Sequence, residues 1–385
     1  MKKRLLAFFG IALVSLAIPF QSVTAQSSTG DASLEAIDSI CLPGYYLSDS
    51  SYCVNQGPAK EIADLYKLGI TFPTTPLPLV TPLPDLQTIP FRYAVLSRDP
   101  VPAFSSLPTS VSDTPTSYLP AGLKYISYSS ISDTDTGRWL YSKNGDFISG
   151  SYLSRVSVPT FQGVIVSAPL LSGFGWLIEP ATPRAGPSNS QAMNGRTINT
   201  QTKVPVYQTI TSEGQEWVMV GFNQWLPKSV VARVLIAAQP PEGVDNGRWI
   251  EVNLYDQTLS VYDNNQLVFA TLIASGLNPF FTKPGLFHIA EKKPSETMSG
   301  GNGSPDYYYL EDVPWTMYYD GTRALHGAYW RTVLGYPASH GCINLSVGDS
   351  RWLYDWARVG DWVYVWDPSG RTPTDPSFYT QGGAW

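Results

Sequence analysis

From residue 91 onward, apolar and polar positions alternate over short runs separated by Gly, Asn, Ser and Asp, the period-2 pattern of strands with one buried face. The alternation is clearest in Trp249-Ile-Glu-Val-Asn-Leu and in Thr258-Leu-Ser-Val-Tyr-Asp, where Asn264-Asn265 supplies a hairpin turn before Gln266-Leu-Val-Phe. Further strand-like runs lie at 286–289, 307–310, 315–319 and 362–366, and 347–358 reads as one helix. The junction at 239–247 is rich in turn residues and opens a last domain at 247–367; the tail, 368–385, carries weak structural signals. The pattern predicts a mainly β fold.

Two upstream segments repeat each other. Gly137-Arg-Trp139 through Phe147 to Arg155-Val156 aligns without gaps, 78 residues on, with Gln215-Glu-Trp217 through Trp225 to Arg233-Val234. Trp matches Trp, aromatic matches aromatic and Arg-Val matches Arg-Val, so two copies of one fold are expected at 91–162 and 163–238. Their pattern of short strands resembles bacterial SH3-like modules, which implies two small SH3-like β-barrels. Trp139 and Trp217 are read as core residues before ligand contacts. The stretch at 61–90, with prolines crowded from Phe72 to Pro90, reads as a semi-rigid, extended linker, the alternative being a Pro-rich ligand for another domain.

The first residues change the compartment. Lys2-Lys3-Arg4, an apolar stretch at 5–20 and Val23-Thr24-Ala25 have the order of a secretory signal at 1–25, with a retained anchor as the competing reading. Gly10 and Pro19 interrupt that stretch, and no later run is apolar for long enough to span a bilayer. An exported protein of the cell wall, periplasm or exterior is expected, with no stable membrane insertion after signal removal. Loss of the three signal cations takes the formal charge from −6 to −9, which argues against a grip on nucleic acid. The chain has 3 cysteines, and outside the cytoplasm cysteines usually pair. Cys41 and Cys53, in the N-terminal segment 26–60, enclose a short polar loop and are the expected disulfide, which leaves Cys342 over.

All 3 histidines, His288, His326 and His340, lie in the last domain with Cys342. A thiol becomes a useful nucleophile beside an imidazole that exchanges its proton near neutral pH. His340 is two residues from Cys342, so on a strand both would share a face. Gly341 lets the backbone approach a substrate, and the Cys342 amide with its neighbours is suited to meet an oxyanion. His288, in an alternating strand, is read as structural.

The run His326-Gly327, twelve residues at 327–338, then Ser339-His340-Gly341-Cys342-Ile343-Asn344, resembles the signature of the L,D-transpeptidases, the YkuD-type catalytic domain. The strand pair at 249–276, Thr282-Lys-Pro-Gly285-Leu-Phe287 and Pro314-Trp-Thr-Met-Tyr318 resemble that family as well. The resemblance implies a YkuD-like β-sandwich with Cys342 as nucleophile and His326 as base, its ring oriented by a main-chain carbonyl such as that of Gly327. It implies that His340 and Gly341 shape the oxyanion region, that Ser339 and Asn344 support the loop or meet substrate, and that Tyr318 walls the pocket. The implied substrate is the peptide stem of peptidoglycan, joined in 3-3 cross-links with loss of D-alanine, and no cofactor is implied. Against this stand a buried structural thiol, a zinc site on His326, His340 and Cys342, a hydrolase sharing the acyl-enzyme, and a non-catalytic protein whose SH3-like repeats bind the wall.

Overall fold

The structure, a computed structural model, describes residues 76–170, 172–301 and 306–379. The candidate signal, the Cys41 and Cys53 pair and the first half of the Pro-rich run lie outside the described residues. Two sheets face each other across the C-terminal unit. One has seven strands, in the order Leu79–Val80, Val164–Val166, Gln266–Leu272, Thr258–Asp263, Trp249–Asn253, Trp362–Trp366 and Gly285–His288. The other has nine, with Ile343–Leu345, Arg323–Gly327, Tyr308–Asp320, Leu123–Thr134, Arg92–Leu96 and Leu153–Arg155 as its main path.

Alternation along the strands explains the packing. Ile250, Val252, Leu259, Val261 and Phe269 point inward from the first sheet against Met317, Tyr319, Leu325, Ile343 and Leu345 of the second. Each such side chain contributes roughly 1.5–3 kcal/mol on burial. Their neighbours Trp249 and Tyr262 point the other way, sit opposite each other in register and stack at 4.2 Å. The hairpin turn falls at Asn264-Asn265, both residues at positive φ (50° and 61°), as its geometry requires.

The single described α-helix, Val347–Trp356, is capped by Ser346, whose Oγ accepts the Asp349 N–H at 3.2 Å. It stops before the expected residue 358 because Asp361 takes the Arg358 N–H at 2.9 Å and Lys292 donates to the Ala357 carbonyl.

The two repeats correspond strand by strand. In the first, Arg92–Leu96 pairs on one side with the Leu123–Thr134 strand and on the other with Leu153–Arg155. In the second, Gly173–Leu177 pairs in the equivalent register with Lys203–Val206 and Val231–Val234. The 3-10 turns Gly150–Tyr152 and Lys228–Val230 also fall 78 residues apart. Trp139 and Trp217 are both buried, in line with a core role.

The first repeat, however, is not a separate domain. Its Leu123–Thr134 strand pairs in parallel with Tyr308–Asp320 and so belongs to the sheet that carries the candidate site. The second repeat gives its first strand, Val164–Val166, to the seven-stranded sheet; from Gly173 onward it keeps its own two sheets and docks on the outer face of that sheet through Phe174, Trp176, Ala232 and Val234.

One other expectation is corrected. The described part of the Pro-rich run does not stand free: Leu79–Val80 pairs with Val164–Val166, and Arg351 and Gln162 bond to its carbonyls at Asp85 and Leu83. Proline removes donors from one residue at a time, and Leu79-Val80 between prolines retain enough to add an edge strand. The tail also folds back, with Phe378 packed on Phe281 and the Tyr379 carbonyl accepting from Arg323 at 3.0 Å.

Candidate active site

The site forms where Arg323–Gly327 and Ile343–Leu345 run parallel, Leu325 opposite Ile343 and His326 opposite Asn344. Side chains two apart on a strand share a face, so this register sends His326 and Asn344 to one side and Leu325 and Ile343 into the core. Cys342 immediately precedes the second strand. Its thiol is buried among Met298, Tyr308, Leu310, Val313 and Ala324, with Sγ 3.8 Å from the Thr322 carbonyl.

His326 is almost fully buried, its Nδ1 3.4 Å from the Gly327 carbonyl. A carbonyl accepts only, so Nδ1 carries the proton and Nε2 keeps its lone pair. Burial pushes this imidazole down to about 4, against the Gly327 bond and with the Arg331 charge adding to the shift. At neutral pH His326 is an uncharged base.

Gly327 is required here by close packing: a Cβ would stand 2.6 Å from Ser350 Oγ and 3.0 Å from Pro314. Gly341, at φ 113°, turns the chain into the second strand in a conformation other residues avoid. The turn is tied from both sides. Ser339 Oγ donates to the Cys342 carbonyl at 2.5 Å and accepts the Gly341 N–H at 3.1 Å. Thr282 Oγ1 accepts the Gly276 N–H at 2.8 Å and donates to the Gly341 carbonyl at 2.9 Å. Asn344 exchanges both backbone bonds with Ala274 at 3.0 Å.

His340 is not on a strand and does not share a strand face with Cys342, because the strand begins only at Ile343. Its ring lies between Phe280, at 4.5 Å, and Tyr308, at 4.9 Å, and burial lowers its pKa. The Gly341 amide, one of the expected oxyanion donors, is already engaged by Ser339. Tyr318 stands in the neighbouring strand opposite Ala324, with burial first and then nearby carboxylates and the thiol pushing its phenol up to about 12. His288 lies on the edge of the other sheet, bonded to the Gly360 carbonyl at 2.8 Å.

The motif also brings residues that were not singled out. Trp330 lays its ring 5.7 Å from that of His326, and Tyr125 of the first repeat lies 6.3 Å from Trp330. The signal for Trp330 was its place four residues after His326. Nothing local marked Tyr125. Thr282 was present in a noted turn, but its bond to Gly341 spans 59 residues. Among the described residues no group of three or more His, Cys, Asp or Glu side chains could hold a metal ion.

Part of the chain is similar to known proteins. Residues 247–365 match the YkuD family, the L,D-transpeptidase catalytic domain. L,D-transpeptidase 1 of Mycobacterium tuberculosis is 26% identical over 232 residues, 55% of this chain and 90% of that protein. A putative L,D-transpeptidase of Bacillus subtilis, YciB, is 26% identical over 120 residues, 28% of this chain and 59% of its own. Among solved structures, a mutant Enterococcus faecium L,D-transpeptidase is 28% identical over 31% of this chain and 50% of that chain, with a TM-score of 0.29. An L,D-transpeptidase from Mycobacterium smegmatis is 20% identical over 55% of this chain and 93% of that chain, with a TM-score of 0.30.

Proposed function

With residues 247–365 belonging to the YkuD family of L,D-transpeptidase catalytic domains, we propose that the protein is an exported peptidoglycan L,D-transpeptidase working through an acyl-enzyme on Cys342. The observation that carries this reading is the buried, neutral His326 on the strand paired with the one that Cys342 leads into. Nε2 of His326 takes the thiol proton as Sγ attacks the carbonyl of the stem's third residue. The tetrahedral intermediate collapses, the C–N bond breaks, and the His326 proton leaves with the amine of the terminal D-alanine. A side-chain amine of a second stem then attacks the thioester, gives its proton to His326 and forms the 3-3 cross-link, and the thiol is restored. Ser339 and Thr282 hold the loop still between the two half-reactions.

The test supplies the purified chain with tetrapeptide-stem muropeptides and follows products by mass. A dimer that appears with the wild type and not with Cys342→Ala supports transfer. Loss of D-alanine without dimer assigns hydrolysis, and no turnover by the wild type rejects both. The repeats, read as SH3-like modules, hold the enzyme at the wall. Exposed Phe222 and Met193 of the second repeat are the surface to test: changing both to Ser should lower co-sedimentation with insoluble wall, and unchanged sedimentation removes that role.

A further inference from the structure

The loop between His326 and Cys342 carries a cation that the mechanism has not used. Arg331 is half-buried, and among the described residues its guanidinium makes one hydrogen bond, from Nη2 to the Ala338 carbonyl at 2.6 Å. Its Nε is buried with no partner among the described residues. Among the other buried or partly buried arginines, Arg233 meets Asp256, Arg248 meets Asp263 and Asp361, and Arg323 meets Asp320, whereas Arg184, like Arg331, donates to a carbonyl, that of Gln191. Arg331 forms no such ion pair among the described residues, and burial lowers its pKa. A desolvated cation without an anion is costly, and proteins keep one where a ligand supplies the partner.

The position of Arg331 says which ligand. It follows Trp330, whose ring faces His326, and after burial its field is among the causes that lower His326 and His340. A guanidinium offers planar, paired donors that fit a carboxylate. We propose that Arg331 binds a carboxylate of the acyl donor beside Cys342, with Tyr125 of the first repeat on the same wall of the subsite. The proposal rests on Cys342 being the acylated thiol, and two carboxylates of a peptide stem have the right chemistry: the C-terminus of the leaving residue and the side-chain carboxylate of a third residue that is a diamino dicarboxylic acid.

The experiment compares iodoacetate with iodoacetamide, which differ in charge but alkylate by the same step, the thiolate forming a C–S bond as iodide leaves. In the full chain the ratio of iodoacetate to iodoacetamide rates at Cys342 should fall roughly 10-fold in Arg331→Gln and be largely kept in Arg331→Lys. Equal ratios in wild type and Arg331→Gln overturn the proposal. In the second arm, donor stems amidated at either carboxylate are compared with the free acid. The carboxylate bound by Arg331 is the one whose amidation costs the wild type roughly 10- to 100-fold in kcat/KM, a ratio that Arg331→Gln compresses. No compression at either position also overturns it. Should the alkylation ratio follow Arg331 while no stem is turned over, the peptidoglycan reading fails and the carboxylate site stands.

Discussion

In the first repeat the strand Leu123–Thr134 runs through twelve residues, whereas the equivalent stretch of the second is two strands, Lys203–Val206 and Gln208–Ser212. The difference centres on one residue pair. Ser127 corresponds to Pro205, and the Ser127 N–H donates to Glu311 Oε2 at 2.8 Å while its hydroxyl donates to Asp312 at 2.5 Å. Proline has no N–H to give, which suits an edge strand, and Lys203–Val206 is an edge strand. The first repeat thus joins the sheet of the candidate site; Tyr93 stacks on Tyr329 at 3.5 Å and Tyr125 reaches Trp330. The second docks on the other sheet through apolar side chains and a polar anchor, Arg233 bound through two nitrogens to Asp256 at 2.8 and 3.2 Å. One repeat has become a wall of the site, and the other has remained a neighbour.

The largest expected effect tests the second repeat. Arg233→Ala leaves Asp256 buried and without its main partner, and should cost about 3–5 kcal/mol in chemical denaturation. Carbapenem acylation of Cys342, followed by mass below the melting transition, should keep its rate; a slowed rate would couple this repeat to the site. Ser127→Pro, which gives the first repeat the residue of the second, should cost roughly 3 kcal/mol and slow the same acylation as well. A destabilised variant with wild-type acylation would break the comparison.

The third test concerns pH. Burial holds His326 at about 4, so the acid limb of the acylation rate should fall near pH 4 rather than near the ordinary imidazole value. Tyr125→Ala opens the wall and should move that limb upward by about one unit, or about 1.4 kcal/mol. The same shift makes His326 favour folding above the unfolded pKa near 6.5. Between there and about 4 the unfolded chain takes a proton that the native state refuses, so this contribution is lost as pH falls. A limb near 6.5 in the wild type removes the buried neutral base. The smallest effect belongs to Pro205→Ser, which restores a donor where no strand waits to accept it and should change stability within about 0.5 kcal/mol.

Much of this was legible along the chain, because alternation fixes which side of a strand meets the core whatever the strand later pairs with. Trp249, Tyr262 and the Asn264-Asn265 turn fall in register as the period-2 pattern requires. The repeats were visible because matched aromatic positions preserve strand spacing, and Cys342 stood out through its histidines. The docking of the Pro-rich run and the return of the tail were not visible, since both depend on edges built by distant residues.

What the sequence determined by itself was the local pattern: mainly β strands, a repeat of 78 residues, and a thiol with imidazoles at fixed spacing. Only the tertiary structure decided that burial keeps His326 neutral, that His340 leaves the strand face, that Arg331 meets no carboxylate among the described residues, and that the first repeat joins the sheet of the candidate site. Those properties depend on how much water and which charges surround a group, and contacts such as that of Tyr93 with Asp312, spanning 219 residues, set them.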